Sequence, residues 1–442
     1  MLEGVYSTPE PGAVIDLYSG ELALSWDGGT VVGDGTITLD WSPSPRIAFQ
    51  FTIRPGYEQV PPPSESNDSA RLLSPEGGKG DVLRFGQVFN DAPNRRIIAG
   101  EIDGCFEVGN PAPVESILFH VPNFPDSVGV AVNHNGGTSA TRMEIETSEW
   151  LINLDDIAGS DLRRQLAERS GFAITHVGDI RRCDGEAIQY SLVDDLLTSV
   201  LWWLSTLRSE RTGPALISGL HEGRTVWERW EIGLVSPWLG RRTWLPRLPP
   251  NGGWPVGPNP TSSIFQFLCE QPKVPGIVNS VEQVIDWYTQ SVTSSHIATK
   301  GVLAQAGNEL LSWMRLVEDV GVTTDGFARM TAADQLRMAL SYNKSSMDVP
   351  ASLPNLFRVT RNGGDGQELD GPGAITEIRN SVVHPKRNAR FNDPMAMLEG
   401  SFLAIRYLEL LLLHRCGYVG RMFNRTAWSE GEVMVPWAAQ DI

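Results

Sequence analysis

The sequence contains few cysteines, and no two of them lie close together. Four occur in 442 residues, at Cys105, Cys183, Cys269 and Cys416, and none belongs to a C-x-x-C pair. Such spacing argues against a structural zinc site and against a disulfide framework, and it is typical of proteins kept in a reducing compartment. We therefore expect a protein that carries no metal and no cofactor.

Long hydrophobic runs are also missing. The first residues, MLEGVYSTPEPG, show no basic segment followed by an apolar one, so no signal peptide is expected. The longest apolar helix candidate, near residues 402–413, contains Arg406 and Glu409 and is too short to span a bilayer. These absences predict a soluble cytoplasmic protein that has no membrane partner.

Basic residues are outnumbered, with 36 Lys and Arg against 53 Asp and Glu, a net charge of −17. Such a balance by itself argues against binding nucleic acid, because phosphate contacts need positive charge. The acidic residues are unevenly placed, however. Residues 1–150 hold eight basic and 21 acidic residues, a net −13, whereas residues 371–430 hold eight and five, a net +3. A local polyanion site in the C-terminal part is therefore compatible with the sequence.

Several widespread enzyme motifs do not occur. The sequence has no G-x-x-x-x-G-K-[ST] and no G-x-S-x-G, so nothing in it indicates a P-loop NTPase or an α/β-hydrolase. Its histidines show no H-x-x-x-H or H-E-x-x-H spacing, so a catalytic metal site is not indicated.

The first part of the chain is patterned as β-structure. Short β-branched segments of alternating polarity, separated by Gly, Asp and Pro, run through residues 14–54 and recur up to about residue 155. They predict an antiparallel sandwich or barrel, which we assign to an acidic β-rich domain over residues 1–158. Its loops and its negative charge favour recognition of a partner with a basic surface.

Residues 159–260 are mixed in character and rich in tryptophan. Residues 170–182 are patterned as a hairpin, residues 191–210 have helical spacing, and two strands are predicted around the turn at His221. We expect the seven Trp residues between 202 and 254 to form core. This region is either a domain of its own or continuous with the first, and the Gly/Pro-rich residues 251–263 predict a linker.

Residues 264–442 are patterned as helices. Apolar residues from Val302 to Val317 form one stripe that ends at Gly321, and Thr331 is placed to cap a second helix. A later helix is predicted to have Asp393 as N-cap and Gly417 just after its end. The predicted class is therefore an α+β multidomain protein, in which an antiparallel β-rich region precedes an all-α helical bundle.

The hexapeptide RNSVVH in the helical part combines residues suited to phosphodiester chemistry. Arg379, Asn380 and His384 lie in a helix predicted over about 374–384, because Pro385 prevents its continuation. Asn380 and His384 are four residues apart and share a face, which the long side chain of Arg379 can reach. A guanidinium can grip a phosphate, an imidazole can exchange a proton, and an amide can orient both.

RNA contains its own nucleophile in the 2′-hydroxyl group, so this set of residues would cleave RNA without a metal ion. The basic residues that directly follow the hexapeptide are predicted to attract the RNA backbone; they are Lys386, Arg387 and Arg390. The preceding Gly-rich residues 363–373 predict a loop beside the motif.

The R-N-x-x-x-H pattern resembles the R-x4–6-H signature of the HEPN ribonucleases. The resemblance covers roughly residues 280–425, and the layout of a β-rich part before such a bundle is similar to that of ApeA-like anti-phage proteins. It implies a bundle of four to five helices, metal-independent RNA cleavage, and a homodimer or higher oligomer in which two motifs face one cleft. Arg379, Asn380 and His384 are the positions that match.

These features predict an endoribonuclease of a bacterial anti-phage (abortive infection) or toxin–antitoxin system, with the N-terminal region as sensor. Its expected partners are tRNA or another cellular RNA, and a phage protein or an antitoxin as regulator. The alternative is a non-enzymatic binding protein, in which the β region recognises a partner or a carbohydrate and the helices form a dimerisation bundle. A HEPN-like bundle without activity, acting as a subunit of a larger complex, is a third hypothesis.

Overall fold

The computed structural model describes residues 1–56, 70–89, 96–126, 129–134, 137–240, 243–245, 259–272, 279–361, 368–384, 391, 393–427 and 431–440. The chain divides into two compact units. The β unit comprises Met1–Leu201, Thr212–Arg241 and Trp254–Asn259, and the helical unit comprises Trp202–Arg211, Arg242–Gly253 and Pro260–Ile442. The three-part division drawn from the sequence stays a prediction.

The β unit is built on one antiparallel sheet that includes strands from both sides of residue 158. Its strands are β1 (Ile15–Trp26), β2 (Gly29–Asp40), β3 (Arg46–Ile53), β4 (Arg71–Leu73), β5 (Lys79–Phe89), β6 (Arg96–Gly109), β7 (Ser116–Pro122), β8 (Val130–His134), β9 (Gly137–Glu146), β10 (Trp150–Asp156), β11 (Ile174–Arg182), β12 (Ala215–His221) and β13 (Arg224–Ile232). They are ordered β3-β2-β1-β4-β5-β6-β13-β12-β7-β11-β10-β9-β8.

The first six strands close into a barrel, because β3 also pairs with β6. Side chains on alternate positions fill its interior, as the period-2 pattern of the sequence requires. Buried residues of this core include Leu22, Leu24, Val31, Ile37, Leu39, Ile47, Phe49, Phe51, Leu72, Ile98 and Phe106. An antiparallel β-rich N-terminal region was predicted, and this is confirmed; of the two architectures considered, the first six strands adopt the barrel.

Strand β6 changes its partner along its length. On one edge, residues 97–101 pair with β3 and so close the barrel, while residues 105–109 pair with β13 and so begin the open part of the sheet. Its other edge pairs with β5 from Arg96 to Glu107. The barrel and the open sheet therefore share one strand.

Strand β1 is continuous from Ile15 to Trp26, with a β-bulge between Asp16 and Tyr18. One local strand prediction needs correction. The hairpin predicted at residues 170–182 is wrong, since β11 is one strand between β7 and β10. It is buried from Ile174 to Ile180, including the polar His176 and Asp179, which is why its sequence does not alternate. The two strands around His221 are confirmed as β12 and β13.

The N-terminal residues are fastened to the open sheet by hydrogen bonds. The backbone N–H of Leu2 donates to Asp155, that of Tyr6 to Nε2 of His120 at 3.2 Å, and that of Gly12 to the Phe172 carbonyl at 2.8 Å. His120 is fully buried, and its Nδ1 lies 2.9 Å from the Leu216 carbonyl oxygen. A neutral imidazole satisfies both bonds, donating from Nδ1 and accepting at Nε2.

The stability of the β unit is expected to fall as the pH drops from about 6.5 to 4. Burial lowers the pKa of His120 to about 4, although its bond to the Leu216 carbonyl opposes the shift. The unfolded chain therefore binds a proton first, so stability is full above the unfolded pKa and is lost as pH falls, by up to roughly 3 kcal/mol at pH 4. Denaturant unfolding of the wild type and of His120→Gln across this range measures the effect.

The Gln variant lacks the titrating group, so its free energy of unfolding should fall less steeply with decreasing pH than that of the wild type. Burial also lowers the pKa of His176, which contributes with the same sign and remains in both proteins. If the free energy of unfolding falls equally steeply with pH in both proteins, the loss of stability is not due to His120.

The described helices are α1 (Ser160–Arg169), α2 (Val193–Arg208), α3 (Ser262–Cys269), α4 (Ser280–Thr293), α5 (Ile297–Trp313), α6 (Thr324–Ala328), α7 (Ala332–Tyr342), α8 (Pro354–Arg361), α9 (Gly371–Val383) and α10 (Pro394–Arg415). All but α1 and the first half of α2 lie in the helical unit. Two short strands, β14 (Arg421–Phe423) and β15 (Glu432–Met434), pair after α10. The predicted helical C-terminal region is confirmed.

The ends of several helices were predicted correctly. Thr331 caps α7 by accepting from the N–H of Asp334, and Asp393 caps α10 by accepting from the N–H of Met395. Gly417 follows α10 with a φ of 66°. The stripe that ends before Gly321 is α5 followed by a π-helical turn, Met314–Asp319.

Six of the seven tryptophans are buried: Trp202, Trp203, Trp227, Trp230, Trp238 and Trp244; Trp254 lies outside the described residues.

A buried ion pair stands inside the helical unit. Glu409 of α10 accepts hydrogen bonds from Arg425 and from the Tyr288 hydroxyl at 2.7 Å, and Tyr288 and Arg425 also reach the Ser209 hydroxyl at 2.6 and 2.9 Å. All four side chains are buried. Burial and the Glu409 carboxylate raise the pKa of Tyr288 well above its usual value, so it stays a neutral donor. These four residues are called the Glu409 network below.

Among the described residues, no helix is long and apolar enough to cross a membrane.

Candidate active site at the end of α9

Helix α9 carries the hexapeptide and starts earlier than predicted. Asp370 is its N-cap and accepts from the backbone N–H of Gly373 at 2.9 Å. Pro372 lies in the first turn, where its missing N–H costs no helical hydrogen bond. The prediction began at residue 374 because the Gly-rich residues 363–373 were assigned to a loop.

An ion pair holds this N-cap in place. Arg337 of α7 donates two parallel hydrogen bonds to the Asp370 carboxylate, at 2.6 and 2.8 Å, and a third to Asp334. Burial alone would raise the pKa of Asp370, but the bonds from Arg337 and Gly373 outweigh it and lower that pKa. The carboxylate therefore stays ionised and anchors the start of α9 to α7.

The apolar face of α9 packs against α10 without a gap. Gly400 of α10 has no side chain where Ile378 arrives, since a Cβ atom there would lie 2.3 Å from Ile378 Cδ1. Gly371 similarly makes room for Tyr407, whose hydroxyl oxygen would be 2.0 Å from a Cβ atom. Ala374, Ile375 and Ile378 are buried by this packing. The start of α9 is thus buried, and its exposed residues, Asn380, Val383 and His384, lie towards its C-terminal end.

The predicted catalytic residues lie at the C-terminal end of α9. Nη1 of Arg379 donates to the Asn380 side-chain oxygen at 3.2 Å. His384 is the C-cap residue, and its backbone N–H donates to the Asn380 carbonyl at 2.9 Å. Arg379 is half-buried, whereas Asn380 and His384 are exposed. The helix therefore brings a guanidinium, an amide and an imidazole to one accessible end.

The three basic residues predicted to bind RNA, Lys386, Arg387 and Arg390, lie outside the described residues, as do Pro385 and residues 363–367 of the predicted loop. Their role stays a prediction.

Sequence reasoning missed the residues that position α9. Asp370 carried a usable signal, an Asp just before a Pro-containing first turn. Arg337 and Gly400 carried none, because their contacts join segments more than 20 residues apart. Glu399 was also missed, and it accepts from the Asn355 side chain at 2.6 Å and the Leu356 N–H at 2.7 Å, which ties α10 to the start of α8.

Replacing Asp370 with alanine is expected to destabilise the helical unit by about 1–2 kcal/mol, because the N-cap and the Arg337 pair are lost together. Asp370→Asn should restore part of this stability, since an amide oxygen still accepts from Gly373. Thermal unfolding of both variants measures the difference. Two variants as stable as the wild type would show that α9 is held by its apolar face alone.

No group of three or more His, Cys, Asp and Glu side chains that could hold a metal ion occurs within the described part of the chain.

The chain is similar in sequence to a prophage-derived protein. Residues 109–241 match the family model of the YopA central domain, and residues 276–435 match that of the YopA C-terminal domain. Over 446 aligned residues the chain is 26% identical to the SPbeta prophage-derived uncharacterized protein YopA of Bacillus subtilis (strain 168), covering 99% of this chain and 97% of that protein. No solved structure matches. The C-terminal match spans α4 to α10 and so includes the hexapeptide.

Proposed function

We propose that this chain is a metal-independent endoribonuclease in which Arg379 and His384 act on the phosphodiester and Asn380 positions Arg379. The observation that carries the proposal is the arrangement at the end of α9. Arg379 is bonded to Asn380, and His384 is exposed four residues further on. The helix beneath them is fixed by Asp370 at its start and by Gly400 on its packed face. Rigid support of this kind suits a reaction that depends on positioning.

The proposed chemistry is internal transesterification. The imidazole of His384 removes the proton of the ribose 2′-hydroxyl, the 2′-oxygen forms a bond to phosphorus, and the bond from phosphorus to the 5′-oxygen breaks. The leaving 5′-oxygen takes up a proton, so the products carry a 2′,3′-cyclic phosphate and a 5′-hydroxyl. Arg379 stabilises the negative charge that accumulates on the phosphoryl oxygens, and Asn380 orients its guanidinium.

The HEPN resemblance extends this proposal to the assembly. It implies that two copies of the chain pair, so that one His384 acts as base while a second group in the shared cleft protonates the leaving oxygen. Lys386, Arg387 and Arg390 would contact the backbone of the RNA on either side. The substrate we propose is tRNA or another cellular RNA.

The relative's name supports a setting in phage biology. A prophage-derived protein acts in a cell where phages compete, and a nuclease directed at cellular RNA must stay inactive until it is needed. We therefore propose a role in anti-phage defence or in a toxin–antitoxin system, with the acidic β unit as the sensor. Its partner would be a phage protein or an antitoxin with a basic surface, given the negative charge of residues 1–150.

Cleavage of a defined RNA by the purified protein tests the activity. We expect cleavage to persist in excess EDTA, and we expect the products to end in 2′,3′-cyclic phosphate, as read by mass spectrometry. Replacing the 2′-hydroxyl at the cut site with hydrogen should prevent cleavage there. Cleavage that EDTA abolishes, or that leaves a 5′-phosphate, would overturn the mechanism.

A pocket on the barrel favours the second candidate, a non-enzymatic binding protein. It has a volume of about 540 Å³, within the range of small-molecule sites, and it lies on the outer faces of β2, β3, β5 and β6. Small and polar side chains such as Thr38, Ala48 and Gln50 line it. Arg46 pairs there with Glu101 at 3.1 Å, and Arg84 with the same carboxylate at 2.8 Å. Partner or carbohydrate binding to the isolated protein, with no RNA cleavage, would support this candidate.

A further inference from the structure

A second group of cationic side chains surrounds a pocket in the helical unit. The pocket has a volume of about 210 Å³, and the residues that line it are Phe267, Leu311, Arg315, Asp319, Ala339, Leu411, His414 and Arg415. They come from α3, α5 with its π-helical turn, α7 and the last turn of α10. None of them belongs to the hexapeptide, and the function proposed above gives them no role.

The π-helical turn at the end of α5 places the cationic residues. From Met314 to Asp319 the backbone is widened, and the N–H of Val320 donates to the Arg315 carbonyl five residues earlier at 3.1 Å. Such turns are rare and are found often at functional sites, because they change the direction of a few side chains without ending the helix. Here the turn brings Arg315 and Asp319 to the pocket wall.

Two guanidinium groups share the carboxylate of Asp319. Nη1 of Arg315 donates to it at 3.2 Å, and Nη1 of Arg415 donates to both of its oxygens, at 3.0 and 3.2 Å. Nη2 of Arg415 donates to Glu318 at 3.0 Å. The guanidinium of Arg315 also lies over the Tyr342 ring, 5.0 Å from its centroid, which holds it in position.

These bonds leave donors unused. The Nε–H groups of both Arg315 and Arg415 are buried and have no acceptor among the residues that the structure describes. The side chains of Glu318 and Asp319 are 41% and 34% exposed, against 18% for Arg415 and 32% for Arg315. The two buried Nε–H groups remain unsatisfied at a cost. Water does not reach these two atoms, so an anion in the pocket would meet the Nη groups of the two arginines.

The remaining wall of the pocket is apolar. Phe267, Leu311, Ala339 and Leu411 face the cationic residues, and the edge of the His414 ring is fixed by Trp437, with ring centroids 5.0 Å apart. The volume is below the 300–1,000 Å³ typical of sites for drug-sized ligands. A whole nucleotide is too large, so the pocket suits an oxyanion attached to one small apolar group.

We propose that this pocket is a binding site for a small organic oxyanion, a phosphate monoester or carboxylate, held by Arg315 and Arg415 with its apolar part against Phe267 and Leu411. The guanidinium groups offer paired N–H donors, which match the geometry of such oxyanions. The proposal does not depend on the nuclease activity. If both proposals hold, α10 connects the two sites, because it starts ten residues after His384 and its last residue, Arg415, lines the pocket.

Calorimetric titration of the full chain with phenyl phosphate tests the site. We expect saturable binding at one site per chain. Arg315→Gln should weaken it about tenfold, as the loss of one charge-assisted hydrogen bond requires. Arg315→Lys keeps the charge but loses the paired N–H donors, so its affinity should lie between those of the wild type and Arg315→Gln. Arg315 is chosen over Arg415 because it makes fewer ion pairs. Circular dichroism confirms that each variant is folded.

Controls separate the parts of the proposal. Arg329→Gln changes an exposed arginine of the same unit outside the pocket, and it should bind as the wild type does. Benzoate should also bind, phenol should bind far more weakly because it lacks the oxyanion, and inorganic phosphate should be weaker because it lacks the apolar group. The proposal is overturned by equal affinity of wild type and Arg315→Gln, by phenol binding as tightly as phenyl phosphate, or by no saturable binding of phenyl phosphate and benzoate.

Discussion

Replacing Arg379 or His384 with alanine is expected to abolish RNA cleavage while the fold of the helical unit survives. Loss of a general acid or base lowers a rate by about 10²–10⁴, and loss of one charge-stabilising donor by about 10²–10³. Neither residue belongs to the core, since His384 is exposed and Arg379 is half-buried. Single-turnover cleavage of a labelled RNA gives the rates, and thermal unfolding shows whether the fold is retained.

Matched substitutions elsewhere in the helical unit serve as controls. Arg329→Ala and His296→Ala remove the same residue types from exposed positions at the end of α6 and the start of α5, and both should cleave as the wild type does. Asn380→Ala should reduce the rate less than Arg379→Ala, because it orients the guanidinium and does not itself touch the phosphate. If Arg379→Ala and His384→Ala cleave at the wild-type rate, the proposed site is not the active site.

Breaking the Glu409 network is expected to have the largest effect on stability. Glu409→Ala leaves the Arg425 guanidinium buried without its carboxylate, and removing one partner of a buried ion pair costs about 3–5 kcal/mol. For a unit of this size the melting temperature should fall by roughly 10 °C. Tyr288 also loses its hydrogen bond to the carboxylate at 2.7 Å and keeps only the Ser209 hydroxyl as an acceptor. Differential scanning calorimetry of the full chain measures the shift.

The double variant Glu409→Met and Arg425→Met distinguishes an ion-pair effect from loss of packing. With both charges removed, no uncompensated charge stays buried, so the double variant should be clearly more stable than the two single effects together predict. Additive losses would mean that the residues contribute through packing and not as a pair. RNA cleavage by folded variants should be unchanged, because none of the four residues lies on α9.

The sequence predicted the types of element well, because periodicity and capping are local. Asp393, Gly417 and Thr331 marked helix ends correctly, since each acts through residues within four positions. Closure of the barrel could not be predicted in this way. It depends on pairing between β3 and β6, about 50 residues apart, and alternation shows which face of a strand is buried but not which strand lies beside it.

The candidate site was predictable as a set of residues but not as a supported structure. The hexapeptide indicated Arg379, Asn380 and His384 through spacing alone, and the structure gives them a common end of α9. Two contacts hold that helix: Arg337 donates to Asp370, and Gly400 makes room for Ile378. Both join segments that are distant in the sequence, so they leave no local pattern. The π-helical turn at Met314–Asp319 was equally hidden, because its residues continue the apolar stripe of α5.

Because the barrel and the open sheet share strand β6, we expect them to unfold together. Opening the ladder at residues 97–101 releases β3, and the same backbone, a few residues further on, holds β13 through residues 105–109. Amide protons in both stretches should therefore exchange with solvent at one common slow rate, that of global opening of the β unit, and not at two separate rates. If the barrel binds the proposed partner, the binding would reach the far strands as a change in the stability of the whole sheet, without any movement of a hinge.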